Sequence, residues 1–283
     1  MNQKLKAYIL ISLLAVSWGT IPLIIKTSNI DSLQIVGIRT FLGAIFLGVF
    51  VLRRKGIKKD LFTAGFILGP LLAIHWATMF KSIELNTVAV GIGLVFSYPI
   101  FIVIFELARG KTISFVQVAI ILLGFFGLFL LLDISTINSI PGVLFGFISA
   151  ITLAILILFG TKISEKHGGL NVAFVQVLFA AVCLSSFTFQ GFNWMIDNLL
   201  VSIFLGFFLT GVGLVTYWYV VKIITPISIG TVTYLEPVTG VILGSILLNE
   251  KLKIIQYTGF VIVILVGLLQ VYLDSKKTSG SSA

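Results

Sequence analysis

The sequence has little charge and almost no cysteine. Only 10% of its 283 residues are charged and 58% are hydrophobic, a balance outside that of soluble globular domains. Cys183 is the single cysteine, which excludes an intrachain disulfide and a multi-cysteine metal site. The sequence also lacks a nucleotide-binding glycine motif, a zinc-binding helix motif and a nucleophile elbow. We therefore expect neither ATP-driven pumping by this chain alone nor hydrolytic catalysis, and we expect no cofactor.

Ten apolar runs, each about 20 residues long, make up most of the chain and are long enough to cross a bilayer as helices. The connections between them leave no room for a soluble domain. We predict an all-α, multi-pass protein of the cytoplasmic membrane with ten transmembrane helices. The first run lacks a small-residue cleavage site, so we interpret it as a span rather than a signal peptide. The runs lie at about 7–26, 33–52, 60–81, 87–107, 114–132, 142–162, 171–190, 199–221, 228–248 and 253–273.

The net charge of +9 would suit a nucleic acid only if the basic side chains formed one exposed patch. Here they lie in the loops between apolar runs. With the amino terminus inside, fourteen of the 19 basic residues fall at cytoplasmic ends of the spans, four at outer ends, and Arg39 lies within a span. This asymmetry predicts that both termini are cytoplasmic. The expected partner of the protein surface is the lipid bilayer and not a nucleic acid.

The two halves of the chain repeat each other. Pro99 in SYPIF and Pro237 in LEPVT lie 138 residues apart in corresponding spans. Each unit has five spans, an odd number, so the second unit must enter the membrane inverted relative to the first. We predict five-helix repeats over residues 5–137 and 138–275, followed by a cytoplasmic tail, 276–283, whose TSGSSA ending resembles a cloning remnant. Inverted repeats are typical of transporters with a central site and alternating access.

Glu236 is the one acidic residue deep inside a predicted span, roughly 12 Å from its start at about 1.5 Å per residue. A charge at that depth costs about 2.5 to 3.5 kcal/mol, so it should face the bundle interior or a cavity. We interpret it as a proton-coupling acid or the partner of a substrate ammonium group, with a structural tether as the alternative. Pro99 and Pro237 weaken their helices and are candidate gating hinges. Gly240 and Gly244 form a GxxxG pair suited to close helix packing.

Further candidate site residues lie in other spans. His75 is the one histidine in a predicted span and is a candidate for binding substrate or relaying a proton, or else a packing residue. The planar fork of Arg39 suits a substrate carboxylate, although a structural role bonding carbonyls is equally open. Four aromatic side chains are deep enough to line a cavity, where their faces would suit a cationic or planar substrate. They are Trp18, Tyr98, Trp218 and Tyr234.

Several stretches resemble the EamA family of the drug/metabolite transporter superfamily. They are WGTIPLIIK in the first span, IVGIRTFLGA in the second, the proline-bearing fourth and ninth spans, and LEPVTGVILGSILLNEKL. The resemblance covers residues 5–273 and implies a ten-helix inverted-repeat fold that exports or exchanges small metabolites, often amino acids or related compounds. One departure is visible. Family members commonly carry an acidic residue after span four as well as after span nine, whereas this chain has Thr112 at the position that Glu250 would match.

These observations favour a secondary transporter that moves a small molecule by alternating access, with proton coupling through Glu236 or His75. An intramembrane enzyme using these two residues as an acid/base pair is the first alternative, but the sequence supplies no nucleophile or metal beside them. A passive channel is the second, although an inverted repeat favours one internal site over a pore. Charged residues at helix ends are expected to anchor the spans at the membrane surface. They are Lys26, Lys81, Glu106 and Glu250.

Overall fold

A computed structural model of the chain describes residues 3–53, 58–131, 137–247 and 252–279, and every regular element in these ranges is a helix. Glu250 lies outside them. The helices of the first half are α1 (Gln3–Trp18), α2 (Ile21–Thr27), α3 (Ser32–Leu52), α4 (Lys59–Leu85), α5 (Val88–Val95), α6 (Tyr98–Ala108) and α7 (Phe115–Leu131). Those of the second half are α8 (Ile140–His167), α9 (Gly169–Cys183), α10 (Ser185–Gln190), α11 (Phe192–Asp197), α12 (Leu199–Ile203), α13 (Gly213–Val220), α14 (Pro226–Val232), α15 (Leu235–Leu247) and α16 (Ile254–Ser279). A π-helical segment, Phe204–Val212, joins α12 to α13.

Eight helical stretches of the described chain are long and apolar enough to cross a membrane, and two shorter apolar helices, α7 and α9, accompany them. Some of the eight combine consecutive helices, such as α1 with α2 and α14 with α15. The prediction of an all-helical, multi-pass membrane protein is thus confirmed. The inverted orientation of the two halves and the cytoplasmic location of the termini stay predictions.

The outer surface of the bundle is apolar, as contact with lipid tails requires. Phe66, Phe115 and Ile254 are 62%, 85% and 86% exposed. Such side chains would form aggregation-prone patches in water, whereas lipid accommodates them without cost. Polar side chains point inward instead, and Arg39 and Gln176 are 1% and 0% exposed. The chemistry of this protein is therefore concentrated in its interior.

The two halves of the chain share that interior. Helices α3 and α4 of the first half pack against α9 of the second, α4 also packs on α8, and α3 contacts the π-helical segment. Farther out, α7 packs on α16, where Gln256 Nε2 donates a hydrogen bond of 3.0 Å to the carbonyl of Leu131. A cavity at the centre of the bundle is consequently lined by both halves.

The fourth and ninth spans are each broken at the same relative position. The fourth divides into α5 and α6 at Phe96 and Ser97, and the ninth into α14 and α15 at Thr233 and Tyr234. In each span a proline lies within the first turn or so of the second helix, where its missing N–H leaves no helical hydrogen bond unmade. The two breaks meet, because the Tyr98 hydroxyl lies 2.7 Å from Thr233 Oγ1.

Gly19, between α1 and α2, makes a closer helix approach than the predicted glycine stripe on α15. A Cβ atom at Gly19 would lie 2.5 Å from Thr239 Cβ and 2.7 Å from the carbonyl oxygen of Glu236. A Cβ at Gly240 would meet no atom closer than 3.6 Å, an ordinary contact. Gly244 is buried on the same helix. The tight contact of α1 with α15 therefore depends on Gly19.

We expect Gly19→Ala to lower the free energy of unfolding by about 1–3 kcal/mol, because the added methyl group must push α15 away from α1. Gly240→Ala, on the other side of the same contact, should change it by less than about 1 kcal/mol. Thermal unfolding of both variants in detergent measures the difference. Equal melting temperatures for the two would contradict this account of the helix packing.

Candidate functional site

A central cavity lies between the two halves of the bundle. Its walls come from α1–α6, α8, α9, α13 and α15, and the volume of the cavity is about 70 Å³. A cavity of this size accommodates a small polar group, and a larger ligand requires the walls to move apart. The polar and aromatic residues of the lining are Trp18, Arg39, His75, Trp76, Tyr98, Gln176, Tyr217, Trp218, Thr233 and Glu236.

Arg39 lies fully buried on α3 beside this cavity. Its Nε donates a hydrogen bond of 3.0 Å to Thr210 Oγ1, and its guanidinium carbon lies 3.9 Å from the centre of the Trp76 ring. The Thr210 hydroxyl is placed by the π-helical segment, where it donates to the carbonyl of Leu205, five residues earlier. Arg39 Nη1 is buried and has no hydrogen-bond partner in the described chain. One end of the guanidinium is fixed and the other is left open.

Glu236 lies in the first turn of α15, next to the break in the ninth span. Its side chain is 7% exposed and makes no hydrogen bond to the described residues. Among the described residues, Arg39 is the one arginine or lysine that lines the same cavity, yet no ion pair within 4 Å joins it to Glu236. The cavity thus holds two side chains of opposite formal charge that do not contact each other.

His75 ties two helices together at the cavity wall. Its Nδ1 lies 2.8 Å from Ser149 Oγ on α8, and that hydroxyl donates a hydrogen bond of 2.9 Å to the carbonyl of His75. The ring lines the cavity, and Nε2 has no partner among the described residues. His75 and Glu236 share the cavity without a hydrogen bond between them. The geometry therefore gives His75 a packing role on one ring edge and leaves the other edge available to a ligand.

Three of the four predicted aromatic residues line the cavity, and each is fixed by a hydrogen bond. Trp18 Nε1 donates to the carbonyl of Leu209 at 2.7 Å, and Trp218 Nε1 donates to Gln176 Oε1 at 2.8 Å. Tyr98 bonds Thr233 across the two broken spans. These rings are therefore held in place before any ligand binds.

Tyr234 is placed elsewhere. It is fully buried at the break of the ninth span, where its ring lies 6.1 Å from that of Phe96 and fills the space left by the missing side chain of Gly124. It does not line the cavity. Pro99 and Pro237 also lie outside the lining, at the starts of α6 and α15. Pro99 touches the other broken span, since a Cβ at Gly230 would lie 3.0 Å from Pro99 Cγ.

The sequence analysis did not single out four residues that the structure brings to the cavity or its wall. They are Trp76, Gln176, Thr210 and Tyr217. Gln176 had a usable signal, because a lone amide in the apolar run VAFVQVLFAAV is costly in a bilayer unless it faces the protein interior. Thr210 had none, since its role depends on a π-helical turn that no residue pattern marks.

A second cavity lies next to the first, toward the carboxyl ends of α6, α8 and α13. Ile102, Leu158 and Val221 lie in its wall, close in sequence to the central-cavity residues Tyr98, Ile157 and Trp218. Its charged lining is Glu106, Arg109, Lys111, Lys162, Glu165 and Lys222. All four basic residues are ones that the charge pattern assigns to cytoplasmic ends of the spans. We call this space the basic vestibule.

The opposite end of the bundle is held together by polar contacts. Lys81 Nζ forms an ion pair of 2.6 Å with Asp31, the N-cap residue of α3, and one of 2.9 Å with Glu84 on its own helix, α4. The Asn86 carbonyl accepts a hydrogen bond of 2.6 Å from Lys26. Asn86 Oδ1 also accepts the backbone N–H of Asn138, at 3.0 Å, from the second half of the chain. These contacts connect α2, α3 and α4 with the start of the second half at this end.

Comparison with known proteins identifies the family of this chain. The model of the EamA-like transporter family matches residues 5–133 and again residues 140–272. The chain belongs to the EamA-like transporter family. Its expected resemblance to this family is thereby confirmed, and so is the expectation of a transporter rather than an enzyme.

Relatives of this EamA-like protein carry the same general description. An uncharacterized transporter of Archaeoglobus fulgidus is 25% identical over 250 residues, which are 88% of this chain and 90% of the relative. One of Clostridium kluyveri is 22% identical over 97% of this chain and 95% of its own. A solved crystal structure superposes with a TM-score of 0.75 over 95% of this chain and 98% of its own, at 16% identity, and so shares the fold.

Proposed function

We propose that this EamA-like protein is a secondary transporter that exports or exchanges a small metabolite, an amino acid or a related compound, across the cytoplasmic membrane by alternating access. The observation that carries the proposal is a pair of buried side chains of opposite formal charge at one cavity, Arg39 and Glu236, which do not contact each other. Burying either charge without a partner is costly, and the cost is tolerated at functional sites. A ligand with complementary groups would satisfy both.

The location of the cavity supports the transporter mechanism. Helices from both halves line it, so a relative movement of the halves would change its walls. We propose that the halves are five-helix repeats, 5–137 and 138–275, in inverted orientation with both termini in the cytoplasm. Rocking of inverted repeats about a central site is the common mechanism in secondary transporters.

The two ends of the bundle support an inward-facing arrangement. The basic vestibule lies next to the central cavity on the side that we assign to the cytoplasm, and the ion pairs of Lys81 close the opposite end. Alternation would require those ion pairs to break and the vestibule to close.

The hinges for this movement would lie in the broken spans. Pro99 and Pro237 each lie in the first turn of a separate half-helix, near the contact of Tyr98 with Thr233. Proton coupling would involve Glu236, with His75 as a second acceptor.

Flux in proteoliposomes tests this function. The purified full-length protein is reconstituted, and radiolabelled amino acids, organic cations and nucleobases are offered with and without an imposed pH gradient. Saturable, protein-dependent flux of one class is the expected result. Protein-free liposomes and an ionophore that collapses the gradient are the controls. Absence of flux for every class, in either direction, would contradict the proposal.

The ion pairs at the closed end give a specific prediction. We expect Lys81→Ala to favour opening at that end, because it removes both the Asp31 and the Glu84 contacts. A cysteine placed at Met79, in the cavity lining near that end, should react with a membrane-impermeant maleimide from outside at least several-fold faster in the Lys81→Ala background. Both proteins also carry Cys183→Ser, which removes the native thiol. Lys166→Ala, which breaks an ion pair with Asp60 instead, is the matched control and should not change the rate.

A further inference from the structure

Three polar groups at the central cavity have no acceptor for their protons. Arg39 Nη1, Gln176 Nε2 and the Tyr217 hydroxyl are all buried and lack hydrogen-bond partners among the described residues, and all three side chains line the cavity. Buried polar atoms in native proteins are almost always paired, so each unpaired one requires an explanation. Three at the same cavity indicate a ligand that accepts hydrogen bonds.

The orientation of the Gln176 amide is fixed by chemistry. An indole N–H can donate a hydrogen bond but cannot accept one, so the atom that Gln176 presents to Trp218 Nε1, 2.8 Å away, must be its oxygen. The amide nitrogen therefore points away from Trp218 with two protons to donate. Trp218 itself cannot rotate freely, because its ring fills the space left by the missing side chain of Gly160.

Arg39 and Tyr217 are fixed in a similar way. The bond from Arg39 Nε to Thr210 and the contact with the Trp76 ring hold the guanidinium in place and leave Nη1 buried without a partner among the described residues. The Tyr217 ring packs against Trp18 and Trp218, with ring centres 6.1 and 5.3 Å away. Its hydroxyl is thus held at the cavity by two aromatic neighbours. All three donors are positioned before a ligand arrives, which lowers the entropic cost of binding.

We infer that Arg39, Gln176 and Tyr217 form a carboxylate-binding subsite in the central cavity and that the transported substrate carries one carboxylate. This inference rests on the proposed transport function for its role, but not for the binding itself. An arginine with a free nitrogen and two neutral donors match the two oxygens of a carboxylate. No base or metal is required, because the group is bound and not transformed.

Glu236 limits the substrate to one carboxylate. It faces the same cavity without a hydrogen-bond partner in the described chain, so a second carboxylate on the ligand would be buried beside another carboxyl group in a site of low polarity. The rest of the lining includes Leu72, Met79 and Leu153, which suit an apolar remainder. A monocarboxylate with an apolar or aromatic side chain fits this arrangement.

The basic vestibule would attract such an anion from the cytoplasm. Arg109 and Lys111 both form ion pairs with Glu106, which leaves Lys162 and Lys222 without a partner among the described residues. Unpaired cations around a cleft raise the local concentration of an anionic ligand, and the effect decreases with ionic strength. The basic vestibule and the carboxylate subsite therefore both favour an anionic ligand.

Equilibrium binding to the full-length protein in nanodiscs tests the subsite without any gradient or second compartment. The probes are monocarboxylates from acetate to phenylalanine, each paired with the primary amide that replaces its carboxylate, together with glutarate as a dicarboxylate. Tryptophan emission is the signal, since Trp18, Trp76 and Trp218 line the cavity and Trp194→Phe removes the remaining tryptophan. We expect at least one acid to bind at least tenfold more tightly than its amide, and glutarate to bind at least tenfold more weakly than that acid.

Gln176→Glu is the decisive variant. It keeps the oxygen that accepts from Trp218 and replaces the donating NH2 group by a second oxygen, so the fold should survive while carboxylate affinity falls at least tenfold. Arg39→Lys keeps the positive charge but loses the planar fork, and Tyr217→Phe loses one donor; we expect decreases of at least tenfold and about threefold, respectively. Gln190→Glu, at an exposed position on α10, is the matched control and should bind like the unmodified protein.

Any one of three results would overturn the subsite. The first is equal binding of acids and amides, and the second is unchanged carboxylate affinity in Gln176→Glu. The third is no binding of any acid at 20 mM, a concentration roughly 20-fold above a 1 mM dissociation constant. These outcomes are separable from a failure of the transport proposal. Flux of a neutral or cationic compound without carboxylate binding would leave the transporter intact and remove the subsite. Carboxylate binding without flux of any compound would support the subsite and contradict the transport function.

Discussion

Glu236→Gln is expected to lower flux at least tenfold while leaving the folded protein intact. The substitution replaces the carboxyl group by an amide of the same size, so the packing of α15 is preserved. It removes the one carboxyl group among the described residues that line the cavity with Arg39. Removing a buried carboxylate that has no hydrogen-bond partner also removes a desolvation cost, so the melting temperature should stay the same or rise.

The pattern of the loss distinguishes two roles for Glu236. If it carries a proton, net flux driven by a pH gradient disappears in Glu236→Gln, whereas exchange of labelled for unlabelled substrate continues. If it binds a cationic group of the substrate, both processes are lost. Asp197→Asn, a charge removal at an exposed position on α11, is the control and should change neither. Undiminished flux with unchanged pH dependence would remove Glu236 from the mechanism.

The sequence predicts the fold of this protein well because a bilayer imposes simple rules. An apolar run of sufficient length must become a helix, since every backbone N–H and C=O needs a partner within the chain. Apolar runs could therefore be located from composition alone, and eight helical stretches of the described chain are long and apolar enough to cross a membrane, whereas the count of ten spans stays a prediction. The breaks in the fourth and ninth spans were also foreseeable, because Pro99 and Pro237 mark them directly.

The cavity is predicted less completely, and the reason is physical. Isolated charged or polar residues in apolar runs, such as Arg39, His75 and Glu236, are costly and so identify themselves as interior. Tyrosine and tryptophan suit packing and ligand contact equally, and the sequence does not separate Tyr217, which lines the cavity, from Tyr234, which does not. Contacts between helices that are distant in sequence, such as those of Trp218 with Gln176 and of Tyr98 with Thr233, depend on helix rotation and cannot be read from a single sequence.

Gly160 shows how the cavity depends on a residue that no motif marks. It lies on α8 directly beneath the indole of Trp218, and a Cβ atom added there would lie 2.7 Å from both Cζ2 and Cζ3 of the ring, closer than atoms can pack. Trp218 is 1% exposed and cannot move into solvent. Any displacement of the ring must therefore be taken up by its neighbours, of which Gln176 is the first because it accepts the Nε1 hydrogen bond.

We expect Gly160→Ala to lower the free energy of unfolding by about 1–3 kcal/mol, which is the usual cost of overpacking. We also expect it to lower flux at least tenfold, because the displaced indole of Trp218 releases Gln176 and enters the cavity. Gly267→Ala on α16 is the matched control. A Cβ there meets no atom within 4 Å, and alanine favours the helix, so stability should be unchanged or slightly increased and flux unaffected. Thermal unfolding and flux, measured on both variants, test this predicted difference. If Gly160→Ala is as stable and as active as Gly267→Ala, Trp218 does not fix the geometry of the cavity, and the orientation of Gln176 must have another cause.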